Sequence, residues 1–193
     1  MLVELWRGGP LLLWLVQPLQ ALQKKVKKKM HVEKRLDRYQ AFISYSQYDR
    51  RSLDELHAHL DHYALSQAVD YWDDTKIPPG AKWREELQKA LRNAAIAILL
   101  VSPEFLASGF IARNELPPLL KAAEEEGVTV LCVILRHCLF LDSHLKAFQA
   151  VNPPSNPLSE MSRGRRDAVW VKVARIVKDR LQREQDRGNE SIV

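Results

Sequence analysis

The stretch AIAILLVSPEFLASGFIARNELPPLL, Ala95–Leu120, decides the fold. Its first eight residues, Ala95–Ser102, run apolar without alternation up to the closing serine, the pattern of a strand covered on both faces. Such a strand belongs to a parallel sheet, and parallel strands need long crossovers, usually helical. After it come Ser102 and Pro103, then an amphipathic segment in which Glu115 stands just ahead of Pro117 and Pro118. An acid there is either a solvated helix-start residue or a group placed to do chemistry.

Working outward, YQAFISYS (Tyr39–Ser46) is a second buried strand, rich in aromatic and β-branched residues. In DRRSLDELHAHLDHYA, Leu53, Leu56, Leu60 and Tyr63 recur at three- and four-residue steps, so a helix follows. Ser52 and Glu55 have capping-box spacing, with Asp49 as the alternative N-cap. AVDYWDD (Ala68–Asp74) is a short strand, TKIPPG a turn-rich loop, and AKWREELQKALRNA a helix with Trp83, Leu87, Ala90, Leu91 and Ala94 on one face. Downstream of the opening stretch, Gly127 suits a helix C′ position, and VTVLCVIL is a fourth buried strand. A proline-rich irregular stretch leads to RRDAVWVKVARIVKDRLQ, a closing helix with Val169, Val173, Ile176, Val177 and Leu181 inward, although its AVWV also suits a fifth strand. Strands alternating with helices predict an α/β, flavodoxin-like three-layer fold with a parallel sheet of order 2-1-3-4-5. This domain spans residues 38–183, and a frayed polar tail follows at 184–193.

The 193 residues are 46% hydrophobic, which supports a packed core and excludes wholesale disorder. The net charge of +5 is concentrated at one end: residues 1–38 hold nine Lys/Arg against three Asp/Glu, and the rest is close to balanced. The basic balance therefore does not point to a nucleic-acid-binding domain. Two readings of the arm 1–37 stand side by side. Its apolar patch Leu11–Val16 and lysine cluster suit weak contact with a membrane surface or a partner, or it is a poorly ordered or briefly helical extension of a protein that starts at Met30. The patch is too short to span a bilayer. Cys132 and Cys138 make no disulfide framework and no zinc pair, which fits a reducing, cytoplasmic compartment and no bound metal. His57, His59 and His62 share a helix at spacings that turn them to different faces, so they are expected at its surface or boundary.

In a sheet of this order, ligands bind at the carboxyl ends of the first and third strands, where strand order reverses. Those strands run into SYSQYDRR and VSPEFLASGF. The crevice between them has no GxGxxG, no P-loop and no GxSxG elbow, and Val101-Ser102-Pro103 stands where a receiver domain has its phospho-accepting aspartate.

Three segments in order carry a resemblance: YQAFISYS with an acid and a helix after it, YWDDTKIPPG, and ILLVSPEFLASGFIARNEL. Together they resemble TIR domains, in a bacterial rather than animal-receptor style. The second segment is similar to the strand and BB loop of that family, here Asp73, Asp74, Ile77, Pro78, Pro79 and Gly80. The resemblance implies one of two functions. Some members cleave NAD⁺ at the nicotinamide–ribose bond, several in antiphage defence, and others act as non-catalytic modules through TIR–TIR contacts. It implies NAD⁺ as a substrate rather than a bound cofactor, and self-association or other TIR proteins as partners. Glu115 matches the catalytic glutamate of the enzymatic members, which stands four residues after a tryptophan. Here Ile111 holds that place, with Phe110 the nearest aromatic. Glu85 and Glu86, after Trp83, are a decoy on a solvated helix face. Ser44, Ser46, Tyr48 and Asp49 are candidates to bind ribose or phosphate, and Trp72 or Tyr71 to stack on a flat ring. Their ordinary alternatives are an N-cap for Asp49, core for Trp72 and a turn for Gly80. A helix turn beginning at the prolines would set Glu115 at its positive end and favour the carboxylate; a helix running through from Ser108 would remove that help and still let the side chain face the crevice.

Overall fold

The computed structural model describes residues 38–190, with side chains through 187; the arm 1–37 and residues 191–193 lie outside the described residues. The elements are β1 (Gln40–Ser44), α1 (Arg50–Ala64), β2 (Tyr71–Trp72), α2 (Trp83–Asn93), β3 (Ala94–Val101), α3 (Pro103–Ala107), α4 (Leu116–Glu126), β4 (Thr129–Ile134) and α5 (Arg163–Glu190). A π-helical turn, Ile111–Glu115, runs directly into α4.

The sheet is parallel throughout, in the order β2-β1-β3-β4. Period-2 alternation along β3 divides the core. Ile96, Ile98 and Leu100 pack with Leu53, Leu56 and Leu60 of α1 and Trp170, Val173 and Val177 of α5. Ala97, Leu99 and Val101 face the other way, toward Leu87 and Leu91 of α2 and Leu119 of α4. Every residue of β3 is buried, which is why its sequence shows no polar alternation. Arg38 anchors the start of β3: its guanidinium donates to the carbonyls of Leu91 and Ala94 and pairs with Glu126.

Two expectations are corrected. The fifth strand is reduced to a single parallel bridge between Cys132 and Ala150 on the outer side of β4. The AVWV segment is helical instead, because the indole of Trp170 is wholly buried against α1 and its Nε1–H donates to Glu55 at 3.1 Å. The tail does not fray at 184: α5 continues to Glu190, and Arg180 and Arg187 both pair with Glu184. Gly127 closes α4 at φ +73°, where its N–H and that of Val128 both donate to the Ala122 carbonyl. Cys132 is a buried free thiol, and burial pushes its pKa up to about 12.

Candidate functional site

Ser44 ends β1 and Ser102 follows β3, and the two strands are direct neighbours. Parallel pairing therefore brings both polar exits to one edge of the sheet. A cleft of about 450 Å3 opens there, lined by Tyr45–Tyr48, Asp74, Trp83, Glu104, Ala107, Ser108, Phe110, Ile111 and Glu115.

Glu115 forms part of its wall and is only 8% exposed. Its position follows from the prolines, for a physical reason the sequence conceals. Pro117 and Pro118 have no N–H, and in a regular α-helix their rings would press on the carbonyls of Arg113 and Asn114. The chain widens instead: the Leu116 N–H reaches back five residues to the Ile111 carbonyl. Residues 109–126 thus form one continuous helical run with a π turn in it, and no helix begins at Glu115. The expected help from a helix N-terminus is absent. Burial pushes the Glu115 acid up to about 7, against the opposing hydrogen bond that the Ser44 hydroxyl donates to it, with the Asp74 charge adding to the rise. Among the described residues no Lys, Arg or His pairs with Glu115.

Ser46 is buried and lines the cleft, and Tyr48 lies on its rim with 85% of its surface exposed. Ile111 is buried and presents aliphatic surface to the cleft. Asp49 precedes α1 but makes no side-chain cap. Its carboxylate accepts from the Ser102 hydroxyl and lies 3.8 Å from Arg136, which also pairs with Glu104. Burial raises the Asp49 pKa despite these partners. Asp49 thus ties the two strand exits together beneath the cleft. Trp72 is not brought to the cleft: it stacks on Phe42 at 5.5 Å and packs on the core. Tyr71 is buried beside His57, with its hydroxyl donating to Asp61.

The loop after β2 divides by role. Asp73 is wholly buried; burial raises its pKa, but the hydrogen bonds its carboxylate accepts from the His57 ring (2.9 Å) and the Thr75 N–H (3.0 Å) outweigh it and hold the carboxyl below the usual range. Asp74 turns to the cleft and accepts from the Tyr45 hydroxyl at 2.7 Å. Pro78, Pro79 and Gly80 are exposed and Ile77 half-buried. The Ala81 N–H donates to Pro78, and Gly80 takes φ +83°, as the third residue of a type II turn requires.

Sequence reasoning missed Trp83, Tyr45, Asp74 as a cleft residue, and Glu104. Trp83 was placed on the inward face of its helix, yet its ring meets Phe110 edge to face at 4.6 Å inside the cleft. No helical spacing links residues 83 and 110, so periodicity carried no signal for that contact.

A family model described as TIR domain matches residues 41–162. The chain is 24% identical over 138 residues to "Uncharacterized protein y4lF" of Sinorhizobium fredii (strain NBRC 101917 / NGR234). That match covers 72% of this chain and 42% of the relative, so the chain spans less than half of the relative's length. Among solved structures, the TIR domain of the Toll-related receptor TRR-2 from Hydra magnipapillata is similar at 20% identity and a TM-score of 0.38, covering 55% of this chain and 80% of that one. The family match extends from β1 past β4 and takes in both strand exits, the proline-glycine loop and Glu115; the chain belongs to the TIR-domain family.

Proposed function

We propose that this protein is a TIR-domain NAD⁺ nucleosidase that breaks the nicotinamide–ribose bond, with Glu115 as the catalytic carboxylate. The observation that carries the reading is Glu115 itself: an acid walled into the switch-point cleft, held by Ser44, with no cationic partner among the described residues. A buried carboxyl without a countercharge favours a ligand that brings positive charge. The nicotinamide ring of NAD⁺ does so. When the C–N bond breaks, nicotinamide leaves with the bonding pair as a neutral base, so no general acid is needed. Positive charge passes to the ribosyl C1′, where the Glu115 carboxylate stabilises it, as carboxylates do in glycoside hydrolysis. Water then adds to C1′ and loses a proton to solvent, giving ADP-ribose; attack by a group of the same molecule gives a cyclic isomer.

The test is nicotinamide release from NAD⁺ by the purified full chain, dilute and under induced self-association. The expected outcome is release that falls about 100-fold or more in Glu115→Gln. No release under any condition, or equal release from the variant, overturns the reading. A second reading, a non-catalytic module acting through TIR–TIR contacts, is favoured by the exposed 78–80 turn and by Ile111 in the place of tryptophan. It predicts self-association or capture of a TIR partner that Glu115→Gln leaves intact and that a shortened 77–80 loop abolishes.

A further inference from the structure

Beside Tyr45 and Tyr48, which follow β1, the cleft has an aromatic pair from two elements far apart in sequence, Trp83 and Phe110. Phe110 precedes the π turn, and Trp83 opens α2 directly after the proline-glycine loop. Trp83 keeps 36% of its surface exposed, whereas Leu87, one turn further on, keeps 4%. The indole is therefore not absorbed by the core and contributes open ring surface to the cleft. Ile111, four residues before Glu115, contributes none. The charge on the lining is equally one-sided. Asp74, Glu104 and Glu115 are present, with no Lys, Arg or His among the described lining residues. Arg136 pairs with Glu104, while among the described residues Asp74 accepts from the Tyr45 hydroxyl and Glu115 from the Ser44 hydroxyl, and neither is ion-paired. A flat ring bearing positive charge gains both from an indole face and from carboxylates in the same cleft.

We propose that Trp83 is the ring-binding residue of this cleft, in the role that Ile111 leaves without an aromatic, and that it selects planar aromatic cations. The proposal rests on the NAD⁺ reading for the identity of the natural ring, so its test uses a ligand that cannot be cleaved. The probe is the 1-methylnicotinamide cation, a pyridinium methylated on its ring nitrogen and without a ribosyl bond, compared with neutral nicotinamide on the full chain. The cation is expected to quench tryptophan fluorescence saturably, and nicotinamide to bind roughly five-fold more weakly or worse by calorimetry. Trp83→Leu, checked for folding by circular dichroism, is expected to lose the saturable quench and about five-fold in affinity. Trp83→Phe is expected to recover part of the affinity but not the quench. No binding of the cation to the wild type, equal binding by Trp83→Leu, or equal binding of cation and nicotinamide overturns the proposal. Nicotinamide release separates the two readings. Release with an unchanged KM for NAD⁺ in Trp83→Leu rejects the role of Trp83 and leaves the nucleosidase. Trp83-dependent cation binding without any release rejects the nucleosidase and leaves the ring site.

Discussion

Glu115 sits between two opposing effects. Burial favours the neutral acid, the Ser44 hydroxyl favours the carboxylate, and burial is the larger, so the group titrates at about 7. In the proposed reaction, charge stabilisation at C1′ needs the ionised form. The kcat/KM for NAD⁺ is therefore expected to rise with pH and level off above about 7, since that ratio reports the free enzyme's pKa. Ser44→Ala removes the one hydrogen bond among the described residues that favours the ion and leaves the burial. Its inflection is expected about one to two units higher, because a hydrogen bond to a charged group is worth about 1.5–3 kcal/mol. A pH–rate profile of the two proteins from pH 5.5 to 9 checks this, and coincident inflections would show that Ser44 does not tune the acid. Both residues were legible in the sequence as polar groups at strand exits. Their bond was not, because it joins residues 71 apart and depends on the phase of the helix that carries Glu115.

At the scale of elements, that phase is set by the π turn. The strand exits were legible because a parallel sheet covered on both faces writes itself as uninterrupted apolar runs at β1, β3 and β4. The π turn was not, because pattern analysis assumes a 3.6-residue period, and the Pro117–Pro118 pair was equally consistent with a helix that starts there. The fifth strand was overestimated for a related reason: the apolar AVWV run serves Trp170 and its buried helix face as well as it would serve a strand. Replacing both prolines with alanine restores two N–H donors and relieves the ring contacts, so the turn can tighten to regular α geometry. Stability should hold or rise, given alanine's higher helix propensity. Nicotinamide release should nonetheless fall about 100-fold, the loss expected when a catalytic group is displaced by about 1 Å. Thermal melting beside the release assay separates this from simple unfolding. Gly80→Ala acts on the neighbouring loop in the opposite sense. A Cβ there meets nothing within 4 Å, so its cost is the positive φ alone, about 1–2 kcal/mol, read as a lower urea midpoint.

For the molecule as a whole, three buried carboxyls, Asp49, Asp73 and Glu115, shape the dependence of stability on pH, and not all in the same sense. Asp73 has a folded pKa below its unfolded value of 3.8, so the stability it confers is fully present above that value and is lost as pH falls below it. Glu115 has a folded pKa of about 7 against 4.5 unfolded, so across that interval the native state holds more protons than the unfolded chain. Stability from this group is therefore highest below pH 4.5, declines as pH rises, and is fully lost above about 7; the shift corresponds to about 3 kcal/mol at most. Asp49, also raised by burial, slopes the same way. The other titrating groups are common to wild type and Glu115→Gln, so the difference between the two isolates one carboxyl. Urea denaturation at pH 4.5, 6 and 7.5 should find the variant similar to wild type at the lowest pH and progressively more stable above it. The gap should approach 3 kcal/mol by pH 7.5. The same substitution that is expected to abolish nicotinamide release should therefore stabilise the fold, as expected where an acid is kept buried for a purpose other than packing. A gap that does not change with pH would mean that Glu115 is solvated in the folded protein, and the nucleosidase reading would lose the observation that carries it.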